Sequence, residues 1–441
     1  MRNQRNKRTK HTAKENLNAF FKLCALIAFI LAIILLIQYL IDKKNNINIS
    51  SKNIEKNTSE NSNLYSNENL NTSENSNSFA NENLTSTTSD DKKDITFNMA
   101  VTGDIMCHNT MFKDAYNSSS KKYDFSYFFD DIKTYLEDAD ITIGNLETTF
   151  AGSKIGYSGY PTFNTPEYLA TNLKNIGVDV VSTANNHCID KGYSGLVSTI
   201  KYLDDAGIAH TGTFTSKEEQ QKILVKNVNG VSIAFLSFTY GTNGIPIPKG
   251  KEYSVNLIDK DLIKEQLNLA KEQNPDIICV SMHWGLEYHT KQNNEQKDLA
   301  DFLFKNGADI ILGNHPHVLE PMEKRTIKLD DGTTKEGFVV YSLGNFMADQ
   351  SYQYTRDSAI LNLQITKNGE TGKISINKAT YTPTYIYKDT SKSSKKYKIL
   401  DIESEIKKYK NNSSGSVNKS TYNTLNAELK NIKNIIGKEI E

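Results

Sequence analysis

From Ile95 onward, short apolar runs alternate with stretches in which apolar residues recur every three or four positions. The runs have the length of buried strands, and the longer spacing is that of a helix with one apolar face. Strands are predicted at residues 95–102, 140–144, 179–184, 231–238, 276–282, 309–313 and 338–343. Helices are predicted between them at residues 194–207, 262–273 and 296–307. Strands that alternate with helices predict an α/β fold with crossover connections.

The pattern becomes less regular after Phe346. The apolar runs at 359–369 and 373–387 predict strands that complete the domain within residues 351–390. From 391 to 441, a Lys-rich segment leads to an amphipathic helix, which we expect to pack on the domain or on a partner. One face of this predicted helix carries Leu425, Leu429, Ile432, Ile436 and Ile440.

The first 41 residues have the pattern of a membrane anchor. Residues 19–41 form an apolar run long enough to cross a hydrocarbon core of about 30 Å. Residues 1–18 are basic, with one acid, Glu15, against Arg2, Arg5, Lys7, Arg8, Lys10 and Lys14. We therefore expect an uncleaved transmembrane signal anchor in the cell membrane, with a cytoplasmic basic tail and the main domain outside the cell.

Residues 42–94 are predicted to be a disordered linker rich in Asn and Ser. Asn, Ser and Thr dominate this stretch, and it has almost no apolar surface to bury. Residues 57–70 are repeated at 71–84 with three differences, a period too short for a solenoid repeat. We interpret the duplication as a change in tether length.

Overall charge and cysteine content exclude some classes of protein. The 52 Lys and Arg are balanced by 52 Asp and Glu, so the chain lacks the basic excess of a nucleic-acid-binding protein. Beyond the predicted span lie Cys107, Cys188 and Cys279, an odd number that gives no disulfide framework. We expect these three cysteines to be small buried thiols.

Polar side chains follow the ends of several predicted strands. Asp104 in GDIM follows the first strand, and Asn145 and Glu147 in GNLE follow the second. Asn186 and His187 in ANNH follow the third. Open α/β sheets bind ligands at the carboxyl ends of their strands, so we expect these side chains to meet in one crevice.

Most of the remaining histidines occupy similar positions. His283 ends a strand and leads into a loop with Glu287, and GNHPH places His315 and His317 on either side of a proline. His108 follows GDIM within the sequence GDIMCHN. Imidazole together with oxygen donors favours Mn, Fe or Zn over Ca or Mg. The sequence therefore predicts a site for one or two divalent metal ions, near which His187 could act as a general acid.

The order and spacing of these motifs resemble those of the CapA family of poly-gamma-glutamate capsule synthesis proteins. The resemblance covers residues 96–350 and is carried by GDIM, NLET, ANNHCIDKG, LDDAGI, MHWGLEY, GADIILGNHPHVLEP and YSLGNF. It implies a four-layer α/β/β/α sandwich like that of the calcineurin-like metallophosphoesterases. It also implies a membrane-anchored protein with an outward-facing domain, as the apolar run predicts independently.

The resemblance also assigns roles to individual residues. It makes Asp104, Asn186 and His283 metal ligands, together with the pair His315 and His317, and it makes His187 the proton donor.

The sequence departs from the metallophosphoesterase pattern at two positions. Met106 stands where the first motif expects a histidine, for which His108 could substitute. Asn145 or Glu147 replaces the bridging aspartate, and Glu147 could ligate a metal directly. The site then holds one tight ion, or two ions with altered ligation, and Glu287 is a further possible ligand.

The resemblance implies a role in synthesis, export or anchoring of poly-gamma-glutamate or a similar polymer, through a metal-dependent hydrolase or transferase site. Two alternatives stay open: a non-catalytic assembly or polymer-binding subunit, and a metallophosphoesterase that acts on another cell-envelope substrate. The implied partners are the cytoplasmic membrane, an anionic envelope polymer and membrane capsule-synthesis subunits, with no nucleic acid.

Overall fold

The computed structural model describes residues 93–440 of the 441-residue chain. The predicted tail and membrane span, and the predicted linker up to residue 92, lie outside the described residues. Within residues 93–440, no helix is both long enough and apolar enough to cross a membrane.

The strands, in chain order, are β1 (Ile95–Ile105), β2 (Tyr116–Asn117), β3 (Lys122–Tyr123), β4 (Ile141–Leu146), β5 (Val180–Ser182), β6 (Ala209–Thr211), β7 (Leu224–Val228), β8 (Val231–Thr239), β9 (Ile277–His283), β10 (Ile310–Asn314), β11 (Leu319–Lys328), β12 (Thr334–Leu343), β13 (Asn345–Met347), β14 (Asp357–Lys367), β15 (Ile374–Lys388) and β16 (Tyr397–Asp401).

The α-helices are α1 (Asn109–Ala115), α2 (Lys133–Glu137), α3 (Tyr168–Asn175), α4 (Gly192–Ala206), α5 (Lys217–Gln221), α6 (Lys260–Glu272), α7 (Asn294–Lys305), α8 (Ile402–Lys410) and α9 (Lys419–Ile436). Short 3₁₀ turns cover Ser126–Phe128, Ser153–Ile155 and Glu252–Ser254.

Two mixed sheets form the centre of the domain. The first has the strand order β16-β15-β14-β1-β4-β5-β6, with β13 also paired to β1, and the second has the order β11-β12-β10-β9-β8-β7. Strands β1, β4, β5 and β6 run parallel in the first sheet, and β8, β9, β10 and β12 run parallel in the second. In each sheet, the carboxyl ends of the parallel strands therefore lie at one edge.

Alternate residues along the strands belong to different hydrophobic clusters, which defines the layers. Met99 of β1 and Phe235 of β8 belong to one cluster that contains side chains from both sheets. The next residue of β1, Ala100, packs instead with helices α1 to α4, and the residue before Phe235, Ala234, packs with α6 and α7. A period of two is what strands buried on both faces produce. The result is two sheets face to face with helices on both outer faces, four layers in all.

The predicted α/β fold is confirmed, and the predicted strands and helices agree with the observed ones to within a few residues at their ends. Up to residue 350, the sequence interpretation missed the strands β2, β3, β6, β7, β11 and β13 and the helices α1, α2, α3 and α5. The pattern of β11 explains its omission, because its outer half alternates exposed residues with mostly half-buried ones and contains Lys324, Arg325 and Lys328. Such charged alternation is typical of an edge strand and is weak as a hydrophobic signal.

The C-terminal region differs in detail from the prediction. The segment predicted as Lys-rich also contains β16 and α8, and the last helix ends at Ile436, before Gly437 at φ 97°. Ile440 therefore does not lie on the helical face that was predicted to include it. Its backbone instead exchanges hydrogen bonds of 2.9 and 2.8 Å with Ala379. The apolar face of α9, with Leu425, packs into the cluster shared by the two sheets.

Gly313 of β10 allows a close approach between neighbouring strands. A Cβ atom built at this position would overlap the carbonyl oxygen of Tyr341 and lie 2.7 Å from Nε1 of Trp284. Trp284 is fully buried and donates to that same carbonyl at 3.0 Å. Glycine at 313 is therefore required by packing, directly before the residues that lead to His315.

We predict that Gly313→Ala lowers the free energy of unfolding by about 3 kcal/mol, because backbone atoms cannot yield as a side chain would. Gly241→Ala is the matched control, since a Cβ there meets nothing within 4 Å. Urea unfolding followed by the fluorescence of Trp284, the single tryptophan, measures both variants. Equal unfolding midpoints for the two variants would contradict this account of β10.

Candidate metal centre

Polar residues from both sheets meet where the parallel strands end. Asp104 lies at the end of β1 in register with Asn145 of β4, and Asn314 at the end of β10 pairs with His283 of β9. Glu147 follows β4 directly. The predicted convergence of these side chains at one edge is therefore what the structure shows.

Two groups of potential metal ligands form at this edge and share one residue. The first group is Glu147, His315 and His317, and the second is Asp104, Glu147 and His283. Within each group the ligand atoms lie within 4.8 Å of one another, and all five residues are buried. Glu147 is thus placed where it could bridge two cations.

The Glu147 carboxyl group is fully buried and lacks conventional partners. Its Oε1 lies 3.6 Å from Nε2 of His283 and 3.8 Å from Nε2 of His317, both beyond hydrogen-bond distance. Neither of its oxygens has a hydrogen-bond partner among the described residues. Burial, and then the nearby Asp104 carboxylate, raise the pKa of Glu147 well above its usual value. Such a carboxyl group is costly to bury unless something satisfies it.

Asp104 joins the two sheets through its second oxygen. Oδ1 accepts a hydrogen bond from Nδ2 of Asn145 at 2.8 Å. Oδ2 accepts from the backbone N–H of His315 at 3.3 Å and lies 3.2 Å from Nδ1 of His317. The contact with Nδ1 leaves Nε2 of His317 directed towards Glu147. Asp104 therefore orients one potential ligand while it is itself held by Asn145.

The rings of His283 and His315 are held in the neutral form, in which an imidazole nitrogen can act as a metal ligand. Burial, followed by the neighbouring histidines, holds the pKa of His283 well below its usual value. The same causes lower the pKa of His315 to about 3, and its buried Nδ1 has no hydrogen-bond partner among the described residues. Oδ1 of Asn186 lies 3.0 Å from Nε2 of His283. Neutral imidazole with a free lone pair is the form that binds a metal.

The GNHPH turn has an unusual backbone conformation. His315 has φ 99° and His317 has φ 59°, a left-handed region that residues other than glycine rarely occupy. The backbone N–H of Tyr288 donates to the carbonyl of Pro316 at 2.8 Å and ties a neighbouring loop to the turn. Strained backbone of this kind is common at functional sites, where it fixes the direction of side chains.

These residues fit a divalent transition-metal ion. Buried carboxylate oxygens without partners lie beside neutral imidazole nitrogens, one of which is also without a partner. Mixed nitrogen and oxygen donors suit Mn, Fe or Zn better than Ca or Mg. A cation would supply the compensation that the Glu147 carboxylate otherwise lacks.

His187 lies next to this centre but outside both groups of ligands. Its Nδ1 is 2.8 Å from Oδ2 of Asp190, and its ring packs edge-on against Phe163 with centroids 4.8 Å apart. Asp190 is itself held, because Oδ2 also accepts from the backbone N–H of Phe163 at 2.6 Å. The carboxylate fixes the imidazole ring and leaves Nε2 free to exchange a proton.

The three additional residues that the sequence suggested as ligands, Asn145, His108 and Glu287, lie outside both groups. Asn145 orients Asp104, and His108 accepts a hydrogen bond at Nδ1 from the backbone N–H of Asp349 at 3.1 Å. Burial lowers the pKa of His108 to about 4. Glu287 is exposed in the loop after β9. None of these three belongs to either group of ligands among the described residues.

The sequence interpretation missed Asp190 and Tyr240. The three-residue offset from His187 to Asp190 within ANNHCID would have been a usable signal for a paired imidazole and carboxylate. Tyr240 follows β8 and packs against His315 with ring centroids 4.5 Å apart. No local pattern marks Tyr240, because its contact depends on how β8 and β10 are placed in the sheet.

Known proteins are similar to this chain over the region that contains the metal centre. The sequence model of the family described as "Bacterial capsule synthesis protein PGA_cap" matches residues 98–350, more than half of the chain. The chain is 32% identical over 278 residues to "Capsule biosynthesis protein CapA" of Bacillus anthracis, covering 62% of this chain and 64% of that protein. It is 34% identical to "PGA biosynthesis protein CapA" of Bacillus subtilis (strain 168), covering 60% of this chain and 69% of the relative.

Similarity to solved structures is weaker. A structure described as a novel phosphatase of Mycoplasma pneumoniae aligns with a TM-score of 0.38 and 14% identity, covering 66% of this chain and 93% of that chain. A likeness at this level is too weak to support an inference about chemistry. The match of the family and the identity with the two Bacillus proteins are sufficient on their own: the chain belongs to the bacterial capsule synthesis protein family PGA_cap.

Proposed function

We propose that this protein is a membrane-anchored, metal-dependent hydrolase or transferase that acts outside the cell on a poly-gamma-glutamate or similar capsule polymer. The observation that carries the enzymatic part is the buried Glu147 carboxyl group, shared by two groups of potential ligands and without a hydrogen-bond partner among the described residues. The apolar run at 19–41 supports the anchor, and the similarity to the two Bacillus capsule and PGA biosynthesis proteins supports the polymer.

Two ions would be held by the two groups, one by His315 and His317 and the other by Asp104 and His283, with Glu147 common to both. Asn186 would add an amide oxygen on the His283 side. When bound, such ions polarise a phosphoryl or carbonyl oxygen and make water more acidic. The chain's own contribution is to fix the ligand geometry and to keep the centre buried.

His187 would protonate the leaving group. Asp190 accepts from Nδ1 and offsets the charge of the imidazolium form, so Nε2 can carry the proton that is donated. The leaving group would carry this proton away. The water consumed in the reaction gives up one proton as it attacks, and that proton would restore the imidazolium form of the ring. Phe163 limits the rotation of the imidazole and so keeps Nε2 directed to one side.

We predict that the number of metal ions lost by a variant depends on whether the substituted ligand belongs to one group or, like Glu147, to both. Glu147→Ala removes a ligand from both groups and should lose two ions per chain, whereas His283→Ala and His317→Ala should each lose one. Plasma emission spectroscopy of protein loaded with Mn²⁺ or Zn²⁺ measures the stoichiometry.

His289→Ala is the matched control, because His289 is an exposed histidine in the same loop region. Glu147→Gln, which keeps the shape of the side chain, separates loss of metal from loss of fold. Two ions retained by both Glu147 variants would contradict the shared-ligand arrangement.

We predict that His187→Ala lowers kcat by about 10²-fold or more and leaves the metal content unchanged, since proton transfer by a positioned group contributes about that much. Asp190→Asn should lower kcat by about tenfold, because the ring stays in place but loses its charged partner. Cleavage of a chromogenic phosphodiester and of poly-gamma-glutamate provides the two assays.

The same variant tests the non-catalytic alternative. If the metal-loaded wild-type protein turns over neither substrate, and a capsule-deficient deletion strain is rescued by His187→Ala, the protein acts as an assembly subunit. Failure of that rescue, with metal content retained, supports the enzymatic role.

A further inference from the structure

His108 borders the metal centre, although it belongs to neither group of potential ligands in the described part of the chain. Its ring packs edge-on against Phe163 with centroids 5.3 Å apart, and His187 packs edge-on against the same phenyl ring at 4.8 Å. Burial lowers the pKa of His108 to about 4, and charge repulsion from His317 and His187 adds to this shift. The three imidazole rings therefore lie near one another, with Phe163 between two of them.

A backbone contact fixes the position of the proton on the His108 ring. The backbone N–H of Asp349 donates to Nδ1 of His108 at 3.1 Å. A ring nitrogen that accepts from an N–H group carries no proton itself, so the single proton of the neutral ring lies on Nε2. Nε2 has no hydrogen-bond partner among residues 93–440, and the ring is partly exposed. A free N–H group therefore remains on the side of the ring that Asp349 does not occupy.

The contact that fixes this proton is itself held from three directions. The Asp349 carboxylate accepts hydrogen bonds from Oγ1 of Thr110 at 2.5 Å and from the Tyr397 hydroxyl at 2.6 Å. It also accepts from the ammonium group of Lys388 at 2.7 Å. These three residues belong to α1, β16 and β15, so Asp349 is anchored to three separate elements. Its N–H group stays directed at Nδ1 of His108 as a result.

His108 and His187 consequently have different chemical capacities. Nδ1 of His187 lies 2.8 Å from the Asp190 carboxylate, which stabilises a charged ring and suits proton transfer. Nδ1 of His108 meets an N–H group instead, and the nearby Asp349 carboxylate is already paired with Lys388. A neutral ring with its proton on Nε2 can donate a hydrogen bond there, but it cannot bind a metal through that nitrogen. This argues against His108 as a substitute metal ligand.

A donor of this kind suits an anionic oxygen. Hydrolysis and group transfer place negative charge on the oxygens of the reacting group, and a hydrogen-bond donor already aimed at that charge stabilises it. The carboxylates of Asp104 and Glu147 offer only acceptor atoms, which repel such a group. The proton of His187 is assigned to the leaving group. The N–H group of His108 is available for one of the remaining oxygens.

We propose that Nε2–H of His108 donates a hydrogen bond to an anionic oxygen of the reacting group of the substrate at the metal centre. His108 is then a second catalytic imidazole, with a role distinct from that of His187. The presence of this oxyanion rests on the proposed function, whereas the tautomer depends only on His108 and Asp349. A phosphoryl group and an attacked amide carbonyl both carry such an oxygen, so the donor serves either substrate.

The first test is isothermal titration of the full-length, Zn²⁺-loaded protein with inorganic phosphate. We expect saturable binding that His108→Ala weakens by about 10- to 100-fold, the size of one lost hydrogen bond to a charged group, at unchanged metal content. His108→Gln should restore most of the affinity, because its amide nitrogen reaches the place of Nε2. His108→Asn should not, because its amide nitrogen reaches only the place of Nδ1. The exposed His289 provides the matched control, His289→Ala.

The second test is nitrogen-15 NMR of the histidine rings, which reports the tautomer without any metal. We expect His108 as a neutral ring protonated at Nε2, identified by the signals that His108→Gln lacks. Loading with Zn²⁺ should shift the ring nitrogens of the histidine ligands and leave His108 unligated.

The source of the oxyanion is distinguished by kinetics of His108→Ala on two substrates, a chromogenic phosphodiester and poly-gamma-glutamate. A lower kcat/KM for the phosphodiester alone assigns the donor to a phosphoryl oxygen. A lower kcat/KM for poly-gamma-glutamate alone assigns it to the oxygen of the attacked amide.

Five results would overturn the proposal: a proton on Nδ1 of His108, a His108 nitrogen bound to Zn²⁺, no phosphate binding by the metal-loaded wild type, equal phosphate affinity of the wild type and His108→Ala, or His108→Gln as weak as His108→Ala. Wild-type protein that takes up no metal rejects the proposed function, and with it the oxyanion. Metal uptake with a phosphate affinity independent of His108 rejects this proposal alone. Phosphate affinity that depends on His108, without turnover of either substrate, supports the donor and rejects catalysis.

Discussion

The burial of one carboxyl group, that of Glu147, is the constraint on which the organisation of this site depends. It lies within 4 Å of two imidazole nitrogens, one from His283 at the end of β9 and one from His317 in the turn after β10, and its oxygens lack hydrogen-bond partners among the described residues. Desolvation makes the ionised form of such a group expensive. The neutral ring of His283 cannot offset a negative charge, but a cation held between the imidazoles and Glu147 can.

The position of Glu147 follows from how the two sheets pack. Each sheet contributes parallel strands whose carboxyl ends point to one edge, and Asp104 joins the edges through its contacts with His315 and His317. That alignment needs close approach of neighbouring strands, which Gly313 permits. The fold therefore provides ligands from both sheets, although neither sheet alone carries a complete set.

The sequence pattern was sufficient to locate polar residues at the ends of strands. It was not sufficient to predict which of these residues contact one another. Asp104 and His283 could be found because each ends an apolar run, and that placement depends only on local periodicity. The resemblance offered Asn145 or Glu147 in place of a bridging aspartate, but the sequence could not choose between them, because the sharing of Glu147 between two groups depends on distances across the interface between the sheets. Asp190 could have been found from its spacing to His187, whereas Tyr240 and Tyr288 are defined only by tertiary contacts.

Anomalous X-ray diffraction from crystals of the Mn²⁺-loaded protein would locate the ions that Glu147 is expected to share. We expect two anomalous peaks per chain, one beside His315 and His317 and the other beside Asp104 and His283, with the Glu147 carboxylate between them. A single peak that Glu147 does not contact, or two peaks ligated without Glu147, would contradict this expectation.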